Sequence, residues 1–142
     1  MHILVVGGGM GGTILANNLA RRLSGELEQG SSKITMLSAT DKHMYQPGLL
    51  YVAVGKMSTT ELYRDQKSLL EPSIDFHVDP VEKFDMDNNS VTTKSGKKIS
   101  YDILCIATGS RGNAAGIPGL AENACQFYTE ADALAMYKKL QK

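Results

Sequence analysis
An α/β fold built on a parallel sheet is what the sequence predicts, and three observations predict it. The apolar run Ile3-Leu4-Val5-Val6 passes directly into Gly7-Gly8-Gly9-Met10-Gly11-Gly12. An apolar series at helical spacing, Leu15, Leu19 and Leu23, comes next. A second strand-like run, Lys33-Ile34-Thr35-Met36-Leu37-Ser38, follows it. Strand, glycine turn, helix and parallel strand make a βαβ unit. The G-x-G-x-x-G pattern across Gly7, Gly9 and Gly12, in this context, marks the dinucleotide-binding, Rossmann-like form of that unit.

Each glycine has a physical task in such a turn. Gly7 supplies backbone angles that side chains forbid. Gly9 lets the main chain approach a pyrophosphate, and Gly12 lets the helix lie close on the strand. The first helical turn then aims free N–H groups and the positive dipole end at phosphate. The competing reading is a surface turn without ligand. Five glycines in six residues argue against it, because they carry a chain entropy loss that a plain turn need not incur.

Length and composition set limits. The chain has 142 residues, enough for one domain, and 15 basic and 15 acidic side chains give no net charge. Neither nucleic acid nor an anionic membrane surface is favoured as a partner. No run approaches the length of a spanning helix, and the N-terminus does not read as a signal peptide. Cys105 and Cys125 do not make a disulfide framework, which fits a reducing cytoplasm. His2, His43 and His77 show no metal-ligand spacing.

Further along, Ser24-Gly25 reads as the stop of the first helix and 29–32 as a loop. Residues 39–48 read as a polar loop broken by Pro47, and 49–54 as a short helical turn ended by Gly55. Ser58-Thr59-Thr60-Glu61 is a capping box predicting a helix to about Leu70, with Pro72 ending it. Residues 74–78, 81–85, 90–94 and 97–100 read as short strands, with turn signals at Asp87-Asn88-Asn89 and Ser95-Gly96. They describe a small antiparallel excursion after a parallel strand. Tyr101 to Ile106 then returns as an apolar strand, expected to be buried on both faces, and runs into Ala107-Thr108-Gly109. Thr129 caps a last helix with Asp132 at the fourth position, placing Ala133, Met136, Tyr137 and Leu140 on one side. Lys138, Lys139 and Lys142 read as its solvated end.

The two fingerprints, Val5 to Gly12 and Tyr101 to Gly109, with an antiparallel insert before the second, resemble the FAD-binding half of the two-dinucleotide-domain flavoproteins. That group contains the pyridine nucleotide-disulfide oxidoreductases, type II NADH dehydrogenases and sulfide:quinone oxidoreductases. Ile34 to Ala39, His43 to Gly55, Ala107 to Arg111, Ile117-Pro118-Gly119-Leu120 and Phe127-Tyr128-Thr129 are most similar to the sulfide:quinone oxidoreductases.

The resemblance implies that Gly7, Gly8, Gly9, Met10, Gly11 and Gly12 cradle the FAD pyrophosphate. Ser38 and Ala39 would lie against the adenosine ribose, at a place where many relatives carry Glu; a strand-end serine without a ligand is the alternative. Val78 would offer backbone groups to adenine. Ala107, Thr108 and Gly109 would close over the ADP portion, Pro47 would sit near the isoalloxazine, and His43 would lie in the loop approaching it. The family's cysteine before the last helix falls at Tyr128, so no catalytic residue is assigned. The implied partners are FAD and, in the parent enzyme, sulfide and quinone, with the parent peripheral at the inner face of a membrane. Residues 1–142 would form an N-terminal FAD-binding domain without the NAD-like domain and C-terminal part. An exposed sheet would then promote self-association or pairing with a chain supplying the rest. Two other readings stay open: an NAD(H)-binding or type II NADH dehydrogenase module, and a non-catalytic remnant.

Overall fold
The structure, a computed structural model, describes residues 1–113 and 116–141; Lys142 lies outside the described residues. The elements are β1 (His2–Val6), α1 (Met10–Arg22), α2 (Ser24–Glu28), β2 (Lys33–Ser38), β3 (Lys42–Met44), α3 (Leu49–Ala53), β4 (Tyr63–Asp65), β5 (Ile74–Val78), β6 (Val81–Asp85), β7 (Ser90–Thr93), β8 (Lys98–Ser100), β9 (Ile103–Ile106), α4 (Leu120–Asn123) and α5 (Glu130–Leu140). They divide into two compact units. The first takes Met1–His43 and Asp65–Gly109; the second takes Met44–Arg64 and the described residues from Ser110 on.

The first unit is built on a parallel sheet of order β5-β2-β1-β9. Successive side chains of β1 point to opposite faces. Ile3 and Val5 join Ala16, Ala20, Ile34, Met36 and Ile74 in one core cluster. Leu4 and Val6 join Leu37, Val91 and Tyr101 in another. The helices therefore cover one face, and the antiparallel sheet β6-β7-β8 covers the other. This is why the run Ile3 to Val6 is apolar without alternation.

Four expectations are corrected. Ser24-Gly25 does not end the helical region; α1 stops at Arg22 and Ser24 opens α2. The buried face of α1 is Gly12, Thr13, Ala16 and Ala20. Leu19 and Leu23 only flank it and Leu15 is exposed, because small residues let the helix approach the sheet closely. The capping box at Ser58 forms, with the Ser58 N–H donating to the Glu61 carboxylate at 2.8 Å. It starts only a 3-10 turn, 59–62, and the chain is extended at Tyr63. Asp65 and Gln66 interrupt the apolar stripe a longer helix would need to bury. Residues 39–48, read as loop, contain β3 and a 3-10 turn over Gln46–Gly48.

The return strand also differs. β9 is an edge strand, with Ile103 45% and Ile106 56% exposed, and is not buried on both faces. Leu104 and Cys105 keep the inward contacts.

In the second unit Leu49, Val52 and Ala53 of α3 pack with Leu62 and with Ala133 of α5, flanked by Met44, Met57, Tyr63 and Met136. Leu140, expected on this side, is exposed. The Tyr63 hydroxyl donates to the Glu130 carboxylate at 2.6 Å, and that bond holds the phenol above its ordinary range. At the start of α5, Thr129 Oγ1 accepts the Asp132 N–H at 3.2 Å, while the Asp132 carboxylate accepts the N–H groups of Thr129 and Tyr128. Those N–H donors favour the ionised carboxylate and hold it below its usual range.

Thr129→Ala is expected to destabilise this unit by about 1 kcal/mol, read by urea denaturation. The contribution of Asp132 is complete above the ordinary carboxylate pKa. It is lost as pH falls through the lowered folded-state value, because protonation removes the acceptor. The difference between wild type and Asp132→Asn should therefore narrow on acidification below about pH 4.

Candidate functional site
The carboxyl ends of the parallel strands bring most of the sequence-predicted residues to one edge of the first unit. β1 ends at Val6 and passes into Gly7; β2 ends at Ser38, β5 at Val78, and β9 passes into Ala107. Strand β1 has β2 on one side and β9 on the other, so its end is the point at which the sheet's connections diverge. Open α/β sheets bind ligands outside this point.

The turn is fixed by the backbone. The Gly7 N–H donates to Leu37 O at 2.8 Å, and the Ala107 N–H donates to Val6 O at 2.7 Å. Gly7 has φ +117°. A Cβ there would overlap the Ala107 carbonyl oxygen, and one at Gly12 would overlap the carbonyl oxygen of Gly7. Gly7 and Gly12 are thus required by packing between turn, helix and β9 exit.

Gly9 and Gly11 are different. A Cβ at either would meet nothing within 4 Å. Gly9 caps α1 at φ −75° and ψ −175°, a conformation open to any residue, with no side-chain cap bond and no acidic residue in the first turn. The first N–H groups of a helix have no partner within it. The space beside these two glycines therefore lies against uncommitted donors and the positive end of a 13-residue helix. That arrangement fits the diphosphate of a dinucleotide. On the far side of the turn, Gly109 has φ +81° with open space beside it, and Thr108 is exposed.

Ser38 is buried beneath the turn, where a Cβ on Gly8 would lie 2.6 Å from its hydroxyl oxygen. That oxygen accepts the Thr40 N–H at 3.3 Å, and Ala39 beyond it is exposed. Val78 is paired with Ser38 and half exposed. Met10 is 47% exposed at the first position of α1. Pro47 belongs to the second unit, in its Gln46–Gly48 turn.

Sequence reasoning missed Gln66 and Thr13. Gln66 is fully buried; its Nε2 donates to Thr13 Oγ1 at 2.8 Å and its Oε1 lies 3.0 Å from His43 Nδ1. The only signal was negative: a glutamine in a stretch read as helix, at a position where that helix needed an apolar residue.

The family profile for pyridine nucleotide-disulphide oxidoreductases matches residues 1–142. The chain belongs to this family. Within it, the chain is 38% identical over 142 residues to the sulfide-quinone reductase of Aquifex aeolicus, covering 99% of this chain and 31% of that protein. It is 32% identical over 121 residues to the mitochondrial sulfide:quinone oxidoreductase of Mus musculus, covering 85% and 26%. The solved structure of the sulfide:quinone oxidoreductase from Aquifex aeolicus superposes with a TM-score of 0.78 at 34% identity, over 99% of this chain and 31% of that one. The chain thus spans less than a third of the length of these relatives.

In the second unit of this family member, Tyr128 and Ser110 share a hydroxyl–hydroxyl bond of 2.8 Å. That bond, together with one to Gln46, holds the Tyr128 phenol below its ordinary range. Cys125 is exposed, accepting from Lys139 Nζ at 3.3 Å, and Cys105 is half-buried in β9. Among the described residues no group of three His, Cys, Asp or Glu could hold a metal ion, and no helix is long and apolar enough to cross a membrane.

Proposed function
We propose that the first unit binds FAD at the Gly7–Gly12 turn. On this reading the chain is the FAD-binding part of an oxidoreductase whose whole protein carries electrons from sulfide to quinone. One observation carries the binding: Gly9 and Gly11 stand beside open space at an uncapped helix start, where a Cβ would meet none of the described residues beyond the local chain. The similarity to sulfide:quinone oxidoreductases supports FAD and the electron route.

Gly8, Gly9, Met10 and Gly11 would bind the diphosphate through backbone N–H groups, while Gly7 and Gly12 hold the turn against β9. Ser38, through the turn it makes with Thr40, would shape the ribose pocket with Ala39. Val78 would offer main-chain groups to adenine, and Ala107, Thr108 and Gly109 would close over the ADP portion. When bound, the flavin would supply the two-electron redox chemistry of the oxidoreductase.

An absorption spectrum of the protein, before and after addition of FAD and desalting, tests this. A flavin band surviving desalting is the expected result. A folded sample that retains no flavin but binds NADH would replace this reading with a nicotinamide site.

A further inference from the structure
The carbonyl of Gly8 is held by two side chains of the protein itself. Thr13 Oγ1 donates to Gly8 O at 3.3 Å, and His43 Nδ1 lies 3.1 Å from the same oxygen. Thr13 in turn accepts from Gln66 Nε2, whose other hydrogen faces Met36 Sδ at 3.8 Å. His43 Nδ1 also lies 3.0 Å from Gln66 Oε1. The two nearest neighbours of Nδ1, Gly8 O and Gln66 Oε1, can only accept, so Nδ1 carries the proton and donates to them; the Thr13 hydroxyl stands further off at 3.5 Å. Every polar atom of the fully buried Gln66 amide is used, and the Gln66 N–H donates to Asp41 O at 2.8 Å.

The consequence lies across the next peptide bond. In a trans peptide the N–H points opposite to the carbonyl. Two donors fixing Gly8 O therefore turn the Gly9 N–H to the opposite side, away from Thr13 and His43. We propose that Thr13, His43 and Gln66 are positioning residues that aim the Gly9 N–H at the diphosphate of the bound nucleotide. This rests on the FAD reading above. A donor already aimed needs no reordering on binding, so loss of the network lowers affinity in addition to what it costs in folding. A purely structural role would lower the melt of the folded protein and leave affinity unchanged.

The test is flavin-fluorescence titration with FAD, together with thermal melts of the apo protein, on two pairs of variants. His43→Leu removes the donor and His43→Asn keeps one at the Nδ1 position; Thr13→Val removes the hydroxyl and Thr13→Ser keeps it. Each deletion is expected to weaken FAD binding about three- to tenfold, with restoration in the conservative partner. Should Thr13→Val fail to fold, the half-buried His43 pair decides alone. Unchanged affinity in His43→Leu, or no recovery in His43→Asn, overturns the proposal and leaves FAD binding standing. A folded wild type that binds no FAD overturns both.

Discussion

Gly12→Ala is expected to destabilise the first unit by about 3 kcal/mol or more, a Tm drop on the order of 10–20 °C. A methyl at Gly12 would overlap the carbonyl oxygen of Gly7 and sit 3.1 Å from its carbon and 3.4 Å from Ala107 Cβ. Flexible side chains can rotate away from such an intrusion, but this oxygen belongs to backbone held on two sides. The Gly7 N–H is bonded to Leu37 O and the Ala107 N–H to Val6 O. Relief requires α1 to lift from the sheet. That in turn opens the cluster in which Ala16 and Ala20 meet Ile3, Val5, Ile34 and Met36. The domain's whole stability is a few times this size, so a large fraction of the molecules would be unfolded on mild heating. Urea denaturation of the apo protein checks it, and a midpoint equal to wild type would show that the helix has room this geometry denies.

The parts of the fold legible in the sequence are those whose cause is local. β1 and β2 lie where apolar runs ended at glycine or loop. The hairpins of β6, β7 and β8 turn where Asp87-Asn88-Asn89 and Ser95-Gly96 allow it; Asn89 takes φ +45° and Gly96 φ +86°. The Thr129 cap needs only residues three apart. What was not legible depends on distant partners. Gln66 became a buried residue because Thr13, 53 positions away, presents it a hydroxyl. The same tertiary pull replaced the helix that the Ser58 capping box announces. β9 looks like a central strand by composition, yet it pairs only with β1 within its sheet. In the candidate site, the glycine pattern revealed position but not division of labour. Spacing alone cannot tell a glycine kept for packing, as Gly7 and Gly12 are, from one kept for open space.

That division gives the second large effect. Gly9→Ala should leave the apo fold nearly unchanged and weaken FAD binding on the order of a hundredfold, ~3 kcal/mol. Gly9 already has backbone angles that alanine adopts, and among the described residues a methyl there meets nothing within 4 Å beyond its chain neighbours. Alanine is a poorer helix cap than glycine, which sets the folding penalty at up to about 1 kcal/mol. The methyl would instead stand where the diphosphate must approach the N–H groups opening α1. Melting curves and FAD titrations on the same preparations separate the two glycines: Gly12→Ala loses stability in the apo protein, whereas Gly9→Ala loses affinity with its apo melt kept. A Gly9→Ala protein that titrates like wild type would mean that the nucleotide does not come close at Gly9. The FAD contacts would then have to be sought away from the start of α1, and the aim of the Gly9 N–H would have no ligand to explain it.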